Sequence, residues 1–311
     1  MLDLQLPPAL ELPPVPAGLA PIAGLLQCPA CRGALRGASG ALQCAGCQRR
    51  FEIRDDVPLL AIHGSSETWG VPQQLSRGTE YQSEFQDFET AAAYNRKHRW
   101  QLPKLLGTRR EFQLLRRHFG RLGRSRSVLE LPCGGGRLTP AFAGFSDLVI
   151  EADIGIGQIL YGRSAASIAT PRIWMTASAF HIPLRDDSVD GTVCVRLSHH
   201  LPTPEERTRL FRELLRVSRR FVIVTYFDYQ SPINIVKRLR GPFSRKPAKV
   251  TMTTAEVAGL ARAHGARLVA APMLAWFGSG HRYALIVKDA PMAASPASGA
   301  GPQSPRHTRP R

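Results

Sequence analysis

The stretch that decides the fold is SVLELPCGGGR, which spans residues 127–137. A short apolar run leads into three consecutive glycines, and the residues that follow, 138–145, have helical character. This order predicts a strand, a tight loop and the start of a helix. Glycines let a backbone approach a ligand closely, and a helix N-terminus offers N–H groups without partners. A glycine cluster alone is weak evidence for a ligand site, since many turns contain one.

The residues downstream of the loop indicate a nucleoside site. A second apolar run, residues 147–153, ends in Asp153, about twenty residues beyond the glycines, where a carboxylate at a sheet switch point meets ribose hydroxyls. The pattern of strand and helix then repeats, at 172–176, 189–195, 204–218 and 221–226. Strands that alternate with helices in this way predict an α/β fold with a doubly wound, mostly parallel sheet.

Three short motifs in this region belong together. They are Glu130-x-x-Cys133-Gly134-x-Gly136, the segment ASAFHIPL at 177–184, and the turn DDSVD at 186–190. With these motifs, residues 125–289 resemble the class I S-adenosylmethionine-dependent methyltransferases of the small-substrate superfamily. The resemblance implies a Rossmann-like, seven-stranded, doubly wound sheet with S-adenosylmethionine as cofactor. Its last helix and paired final strands correspond to residues 254–264, 267–271 and 283–288.

The resemblance also implies a set of cofactor-binding residues. Glu130 matches the acid that reaches the methionine amine, Asp153 the acid that binds ribose, and Ile154 the apolar residue beside adenine. The full set is Glu130, Pro132, Cys133, Gly134, Gly136, Asp153, Ile154, Ser178, Ala179 and Arg196.

Two residues depart from the family pattern. Pro132 stands where many members have the first glycine, and a prolyl turn also brings the backbone near a ligand. Ser178 replaces the usual aspartate that accepts from the adenine amine, and a hydroxyl still accepts such a bond. A nicotinamide dinucleotide site is the rival interpretation of the loop, but the GxGxxG spacing is lacking here.

Candidates for acid–base chemistry follow the fourth and fifth predicted strands. Methyl transfer is an in-line displacement that demands alignment, and a general base is needed when the acceptor must lose a proton early. We consider His199, His200 and Asp228 as candidate catalytic residues. A structural interpretation competes with each: a histidine here can cap the strand, and Asp228 can hold a turn. A covalent route through Cys133 or Cys194 lacks a recognisable nucleophile motif.

Four of the six cysteines form one pattern, Cys28-x-x-Cys31 and Cys44-x-x-Cys47. Two such knuckles place four thiolates around one zinc ion, and a closed four-thiolate site is structural. Disulfides are the rival interpretation, which an intracellular setting disfavours. Residues 25–62 resemble the small zinc ribbons that are partner proteins of RNA and protein methyltransferases.

The net charge of +17 over 311 residues is concentrated in three segments. Residues 96–126 carry +10, with Glu111 as their single acid, 237–249 carry +6 and 290–311 carry +3, so the rest of the chain is −2. Such unbalanced runs favour anionic partners, although many arginine-rich helix faces are merely solvated. No apolar run is long enough to span a bilayer, and the first 27 residues do not resemble a secretory signal, so we expect a cytoplasmic protein.

Two classes of methyl acceptor remain open at this point. An anionic small molecule or lipid-like compound fits the small-substrate resemblance, with the basic connection after the fifth strand as a clamp. A ribosomal or transfer RNA base fits the zinc ribbon and the basic segments, which could contact phosphates. We favour the first class, since 237–249 has one aromatic residue, Phe243, and no stacking platform.

The chain is thus predicted to have five parts. They are a Pro-rich flexible leader at 1–24, the zinc ribbon at 25–62, a basic helical lead-in at 63–124, the methyltransferase domain at 125–289 with its basic connection at 229–250, and a disordered tail at 290–311.

Overall fold

The computed structural model describes residues 15–62, 87–100, 102–165, 168–240, 250–276 and 278–289. The predicted tail, the first part of the leader and residues 241–249 of the basic connection lie outside the described residues. Within the described part, no helix combines the length and the apolar character that crossing a bilayer requires.

A small antiparallel sheet forms around the two cysteine pairs. Its strands follow chain order as β1 (Leu35–Ala38), β2 (Ala41–Cys44), β3 (Arg50–Arg54) and β4 (Val57–Pro58). A two-residue turn joins β1 to β2, and its Gly40 has a φ of 64° that favours glycine. The predicted ribbon in front of the larger domain is therefore confirmed.

The residues just before the ribbon differ from the predicted flexible leader. Ala17–Leu25 form a 3-10 helix in which Leu19 and Ile22 are buried. Proline has a fixed φ that suits a tight helical turn, and the two apolar side chains enter the core shared with the ribbon. Composition alone did not distinguish this packed segment from a flexible one.

Two helices precede the larger domain, α1 (Phe88–Trp100) and α2 (Leu102–Leu122). Leu114, Leu115 and Phe119 recur at helical spacing and are buried. The Phe119 ring stacks on Phe142 at 5.1 Å and meets Phe221 edge-on at 5.5 Å. These contacts fix α2 against the sheet and leave its arginines facing solvent.

A seven-stranded sheet forms the larger domain, in the order β10-β11-β9-β8-β5-β6-β7. The strands are β5 (Ser125–Glu130), β6 (Ser146–Asp153), β7 (Arg172–Thr176), β8 (Val189–Cys194), β9 (Ser218–Phe227), β10 (Ala266–Ala270) and β11 (His281–Lys288). The strand β11 runs antiparallel to both neighbours, and the other described pairings are parallel. The predicted mostly parallel, doubly wound sheet is confirmed.

Four helices connect these strands: α3 (Ile156–Ala165), α4 (Pro204–Val217), α5 (Pro232–Leu239) and α6 (Thr254–Arg262). The predicted helix at 138–145 is wrong, because two 3-10 turns, Thr139–Ala141 and Ala143–Phe145, occupy that stretch. Pro140 has no N–H to donate and Gly144 is a poor helix former. The Thr139 hydroxyl is also bonded to side chains of the sheet rather than to a helix end.

The ribbon is docked on the larger domain rather than separated from it. Leu59 forms a parallel bridge with Thr176 at the free edge of β7, and Leu26 forms an antiparallel bridge with Leu184. Arg185 donates its backbone N–H to the carbonyl of Leu25 at 2.8 Å. Ribbon and sheet share one hydrophobic cluster, so their stabilities are coupled.

Candidate active site

The carboxyl ends of the parallel strands gather most of the predicted cofactor residues. Glu130 ends β5, Asp153 ends β6, and Ser178 and Arg196 lie two residues beyond β7 and β8. Because these strands are neighbours in the sheet, the four residues line one edge, where ligands bind in doubly wound folds.

The glycine loop wraps around the carboxylate of Asp153. Gly134 donates its N–H to Oδ2 at 2.8 Å, and Gly155 donates to Oδ1 at 3.0 Å. Burial raises the pKa of Asp153 to about 6, although these backbone N–H groups favour the charged form. Gly134 and Gly136 have φ values of 55° and 67°, a conformation that other residues rarely adopt.

A pair of buried glutamates underlies the loop. The Thr139 hydroxyl lies 2.7 Å from Oε2 of Glu130 and 2.7 Å from Oε1 of Glu151. Burial raises the pKa of Glu151 to about 7, and burial with repulsion from Glu151 raises the pKa of Glu130 well above its ordinary value. A hydroxyl has one proton to donate, so the pair holds a proton near neutral pH. An ammonium group next to Glu130 would favour the charged carboxylate, which fits a methionine amine.

The remaining predicted cofactor residues lie around this edge. The Ser178 hydroxyl accepts the N–H of Phe180 at 3.3 Å, so the substituted position does present an acceptor. Ile154, Pro132 and Ala179 are half-buried. The residues present thus offer a carboxylate for an amine, a carboxylate for hydroxyls and an apolar wall. These are the contacts that S-adenosylmethionine needs.

Neither Cys133, in the glycine loop, nor Cys194, at the end of β8, has nucleophile character. Burial raises the pKa of Cys133 well above its ordinary value, with further repulsion from Glu151 and Asp153. Burial also raises the pKa of Cys194. Both stay as thiols at neutral pH, so the covalent route stays unsupported.

The helix α1 covers the glycine loop, a contact that the sequence analysis missed. A Cβ on Gly135 would lie 2.6 Å from the Tyr161 ring and 2.9 Å from the Asn95 amide. Asn95 is buried, donates to the Ala91 carbonyl at 2.8 Å and donates to Oε1 of Gln158 at 2.8 Å. The available signal for this contact was the run of three glycines, since a glycine at the middle position indicates that another element approaches the backbone closely.

Arg196 belongs to an ionic network with the lead-in helix. Its Nε and Nη2 donate to Oε1 of Glu111 at 3.1 and 2.8 Å, and Arg137 donates to the other carboxylate oxygen. Tyr283 donates its hydroxyl to Glu111 at 2.9 Å. Burial opposes the charge, but the two arginines lower the pKa of Glu111 to about 2. The side chain of Arg196 is 41% exposed.

Three imidazoles and a phenyl ring meet on the other side of the edge. The His199 ring centroid lies 4.1 Å from that of His200, 4.6 Å from Phe227 and 5.3 Å from His281. His199 and His281 are 8% exposed, whereas His200 is exposed. The sequence analysis missed His281 because β11 returns to this edge from the end of the domain, pairing His281 with Phe227.

Asp228 is buried and already engaged. It accepts Nε of Arg282 at 2.7 Å and the N–H of Gln230 at 3.0 Å. The carbonyl of Asp228 also accepts Nδ2 of Asn234 at 2.8 Å. These contacts favour the turn-holding interpretation over a general base at this position.

The four ribbon cysteines form one cluster, with sulfurs within 4.8 Å of one another. The Cys28 and Cys47 sulfurs are 3.7 Å apart, and those of Cys31 and Cys44 are 3.3 Å apart. Four thiolates at about 2.3 Å from zinc in a tetrahedron would be roughly 3.8 Å apart, so the cluster is consistent with a structural zinc ion. Cys28 and Cys44 are buried, which leaves little room for substrate.

Two family models match separate parts of the chain. Residues 129–222 match a family model described as a methyltransferase domain, and residues 24–56 match one described as Trm112p-like protein. No curated protein matches the chain.

Solved structures share the fold at low sequence identity. Magnesium protoporphyrin IX methyltransferase from Synechocystis PCC 6803 with bound SAH has a TM-score of 0.55 and 15% identity, over 68% of this chain and 99% of that one. The same enzyme with bound SAM has a TM-score of 0.53 and 15% identity, over 70% and 100%. Since 679 chains match, the fold does not single out an acceptor.

Proposed function

We propose that this chain, a class I S-adenosylmethionine-dependent methyltransferase with a Trm112p-like four-cysteine segment in front, methylates an anionic small molecule or lipid-like compound. The observation that carries this proposal is the group of rings formed by His199, His200, His281 and Phe227. These rings lie where β9 ends and β11 begins, which we call the acceptor end. The Lys237 ammonium lies 5.9 Å from the Phe227 ring centroid and supplies a positive charge beside it.

The cofactor-facing residues have distinct roles in this proposal. Glu130 binds the methionine amine, Asp153 the ribose hydroxyls and Ser178 the adenine amine. S-adenosylmethionine supplies an electrophilic methyl group on a sulfonium. Asn95 and Tyr161, which close over the glycine loop, exclude water from this part of the site.

The histidines handle the acceptor. His200 is exposed and reaches an incoming molecule, while His199 is held between His200 and Phe227. An imidazole titrates near neutral pH and can take a proton from a hydroxyl acceptor. Lys237 attracts the anionic group of the acceptor and orients it.

The proposal is tested by methylation with cofactor labelled in the methyl group. Extracted RNA, a lipid fraction and a small-metabolite fraction are incubated side by side with the protein and with the His200→Gln variant. We expect label in the lipid or small-metabolite fraction, and about a hundredfold less with the variant, the low end of the effect of removing an acid–base group. Label in RNA alone would contradict the proposal.

An RNA acceptor is the second candidate, and one observation favours it. A cavity of about 310 Å³ at the amino ends of the strands is lined by Arg124, Arg126, Arg219 and Arg220 with two aspartates. RNA phosphates would bind in this cavity and would also contact the exposed arginines of α2. Label in RNA that falls steeply with salt would support this function.

A further inference from the structure

The helix α5 turns its apolar side chains to solvent. Ile235, Val236 and Leu239 are 40%, 41% and 73% exposed, and their i, i+1, i+4 spacing places them on one face. The one buried residue of the helix is Asn234, whose amide bonds to the Asp228 carbonyl. A polar contact therefore holds the helix. A helix that packs on a core buries its apolar face, whereas this helix exposes that face to solvent.

Positive charge accompanies this apolar face. Lys237, Arg238 and Arg240 follow within one turn, and residues 232–240 contain no acid. The Arg238 guanidinium stacks on the Tyr229 ring at 3.7 Å, and that ring is 46% exposed. The adjacent Asp228 is paired with Arg282 and does not neutralise the face.

The combination selects one class of partner. RNA phosphates would match the cations but would leave Ile235, Val236 and Leu239 in water. The surface of an anionic bilayer accepts both, since apolar side chains enter the boundary of the acyl chains and Lys or Arg contact the headgroups. We infer that α5 docks this protein on an anionic lipid surface.

The position of α5 connects this docking to the acceptor end. Gly280 lies against the Asn234 amide, since a Cβ there would be 2.2 Å from it, and the next residue is His281. Trp276, in the same loop, is 71% exposed, and tryptophan favours the headgroup region. Docking would thus present the histidines to lipid-like molecules, a consequence that rests on the proposed function.

The test is co-sedimentation of the full-length protein with vesicles of phosphatidylglycerol and phosphatidylcholine, with pure phosphatidylcholine vesicles alongside. We expect binding to the anionic vesicles, at least a tenfold loss with Leu239→Asp, and about a fivefold loss for each cation removed in Lys237→Ala and Arg240→Ala. The matched control is Val269→Asp, which alters a side chain 45% exposed on β10, and it should bind as the unaltered protein does. Thermal melts check that each variant folds.

Three results would overturn the inference. They are no binding to anionic vesicles, whether or not added RNA is retained, equal binding to neutral vesicles, and an equal loss in Leu239→Asp and Val269→Asp. Calorimetric titration with S-adenosylmethionine separates the two proposals: its failure in the unaltered protein would refute the proposed function and leave the vesicle result standing.

Discussion

At the scale of single residues, Glu111 ties the lead-in helix to the cofactor edge. It is 1% exposed and bonds to Arg137, which follows β5, to Arg196, which follows β8, and to Tyr283, which belongs to β11. A charge this deep is stable because two guanidinium groups and a hydroxyl surround it. Removing the charge leaves those groups without their shared partner.

We expect Glu111→Gln to lower the free energy of unfolding by about 2 kcal/mol, below the usual range for a fully buried pair because both arginines reach solvent. The Glu111 pKa is depressed from 4.5 to about 2, so its stabilisation is complete above pH 4.5 and is lost as the pH falls toward 2. Urea unfolding at pH 7 and at pH 3 measures both effects. The control Asp147→Asn breaks an exposed pair and should cost less than about 1 kcal/mol.

Sequence spacing was sufficient to place Glu130 and Asp153 at the ends of their strands, because each follows an apolar run that is evident in the sequence. It was insufficient for Glu111, whose partners Arg137 and Arg196 are 26 and 85 residues away. Its isolation among eleven basic residues was the one available signal. The sequence around His281 gave no such signal, since its position depends on where β11 begins in the sheet.

At the scale of elements, two glycines have opposite requirements. Gly191 lies in β8, where a Cβ would be 2.3 Å from the Phe221 ring. Gly120 lies on the exposed side of α2, where a Cβ meets nothing within 4 Å. The strand therefore needs a glycine for packing and the helix does not.

Gly191→Ala should lower the free energy of unfolding by about 2 kcal/mol, since the Phe221 ring must shift within a packed core. Gly120→Ala should raise it by about 0.5–1 kcal/mol, because alanine loses less backbone freedom in a helix. Equilibrium unfolding of both variants in the same denaturant compares them. An equal loss of unfolding free energy in the two variants would contradict this prediction, because it would show that other residues cover the α2 surface at Gly120.

The ribbon is joined to the edge of the sheet, since Leu59, just after β4, bridges Thr176. We expect metal removal by a chelator to lower the melting temperature of the whole chain in a single transition, and zinc to restore it. Metal analysis should give one zinc per chain. Unchanged melting together with no bound metal would contradict a structural zinc site.

Predictability differed among the elements for physical reasons. The strands and α4 follow their periodicity, because a buried sheet and an amphipathic helix leave a clear pattern. The 138–145 stretch has helical composition but forms 3-10 turns, since the Thr139 side chain bonds to Glu130 and Glu151. The Ala17–Leu25 helix was hidden by its prolines.

At the scale of the whole molecule, the positive charge divides between two ends. The lead-in helix begins near the cofactor edge, where Thr108 accepts Arg137, and ends near the opposite edge, where Arg220 donates to the carbonyl of Leu122. The arginines of α2 from residue 116 onward therefore lie toward that opposite edge, while Lys237 of α5 lies 5.9 Å from the Phe227 ring centroid, at the carboxyl end of β9. Within the described residues, these cations thus lie on two separate surfaces.

We propose that S-adenosylmethionine binds where Glu130 and Asp153 meet the glycine loop, and calorimetric titration measures this binding. We predict binding by the unaltered protein and at least tenfold weaker binding by Asp153→Asn, since the ribose hydroxyls lose a charged acceptor. Asp147→Asn, at the exposed start of the same strand, should bind normally. Equal affinity in all three proteins, or no binding by any, would contradict the account.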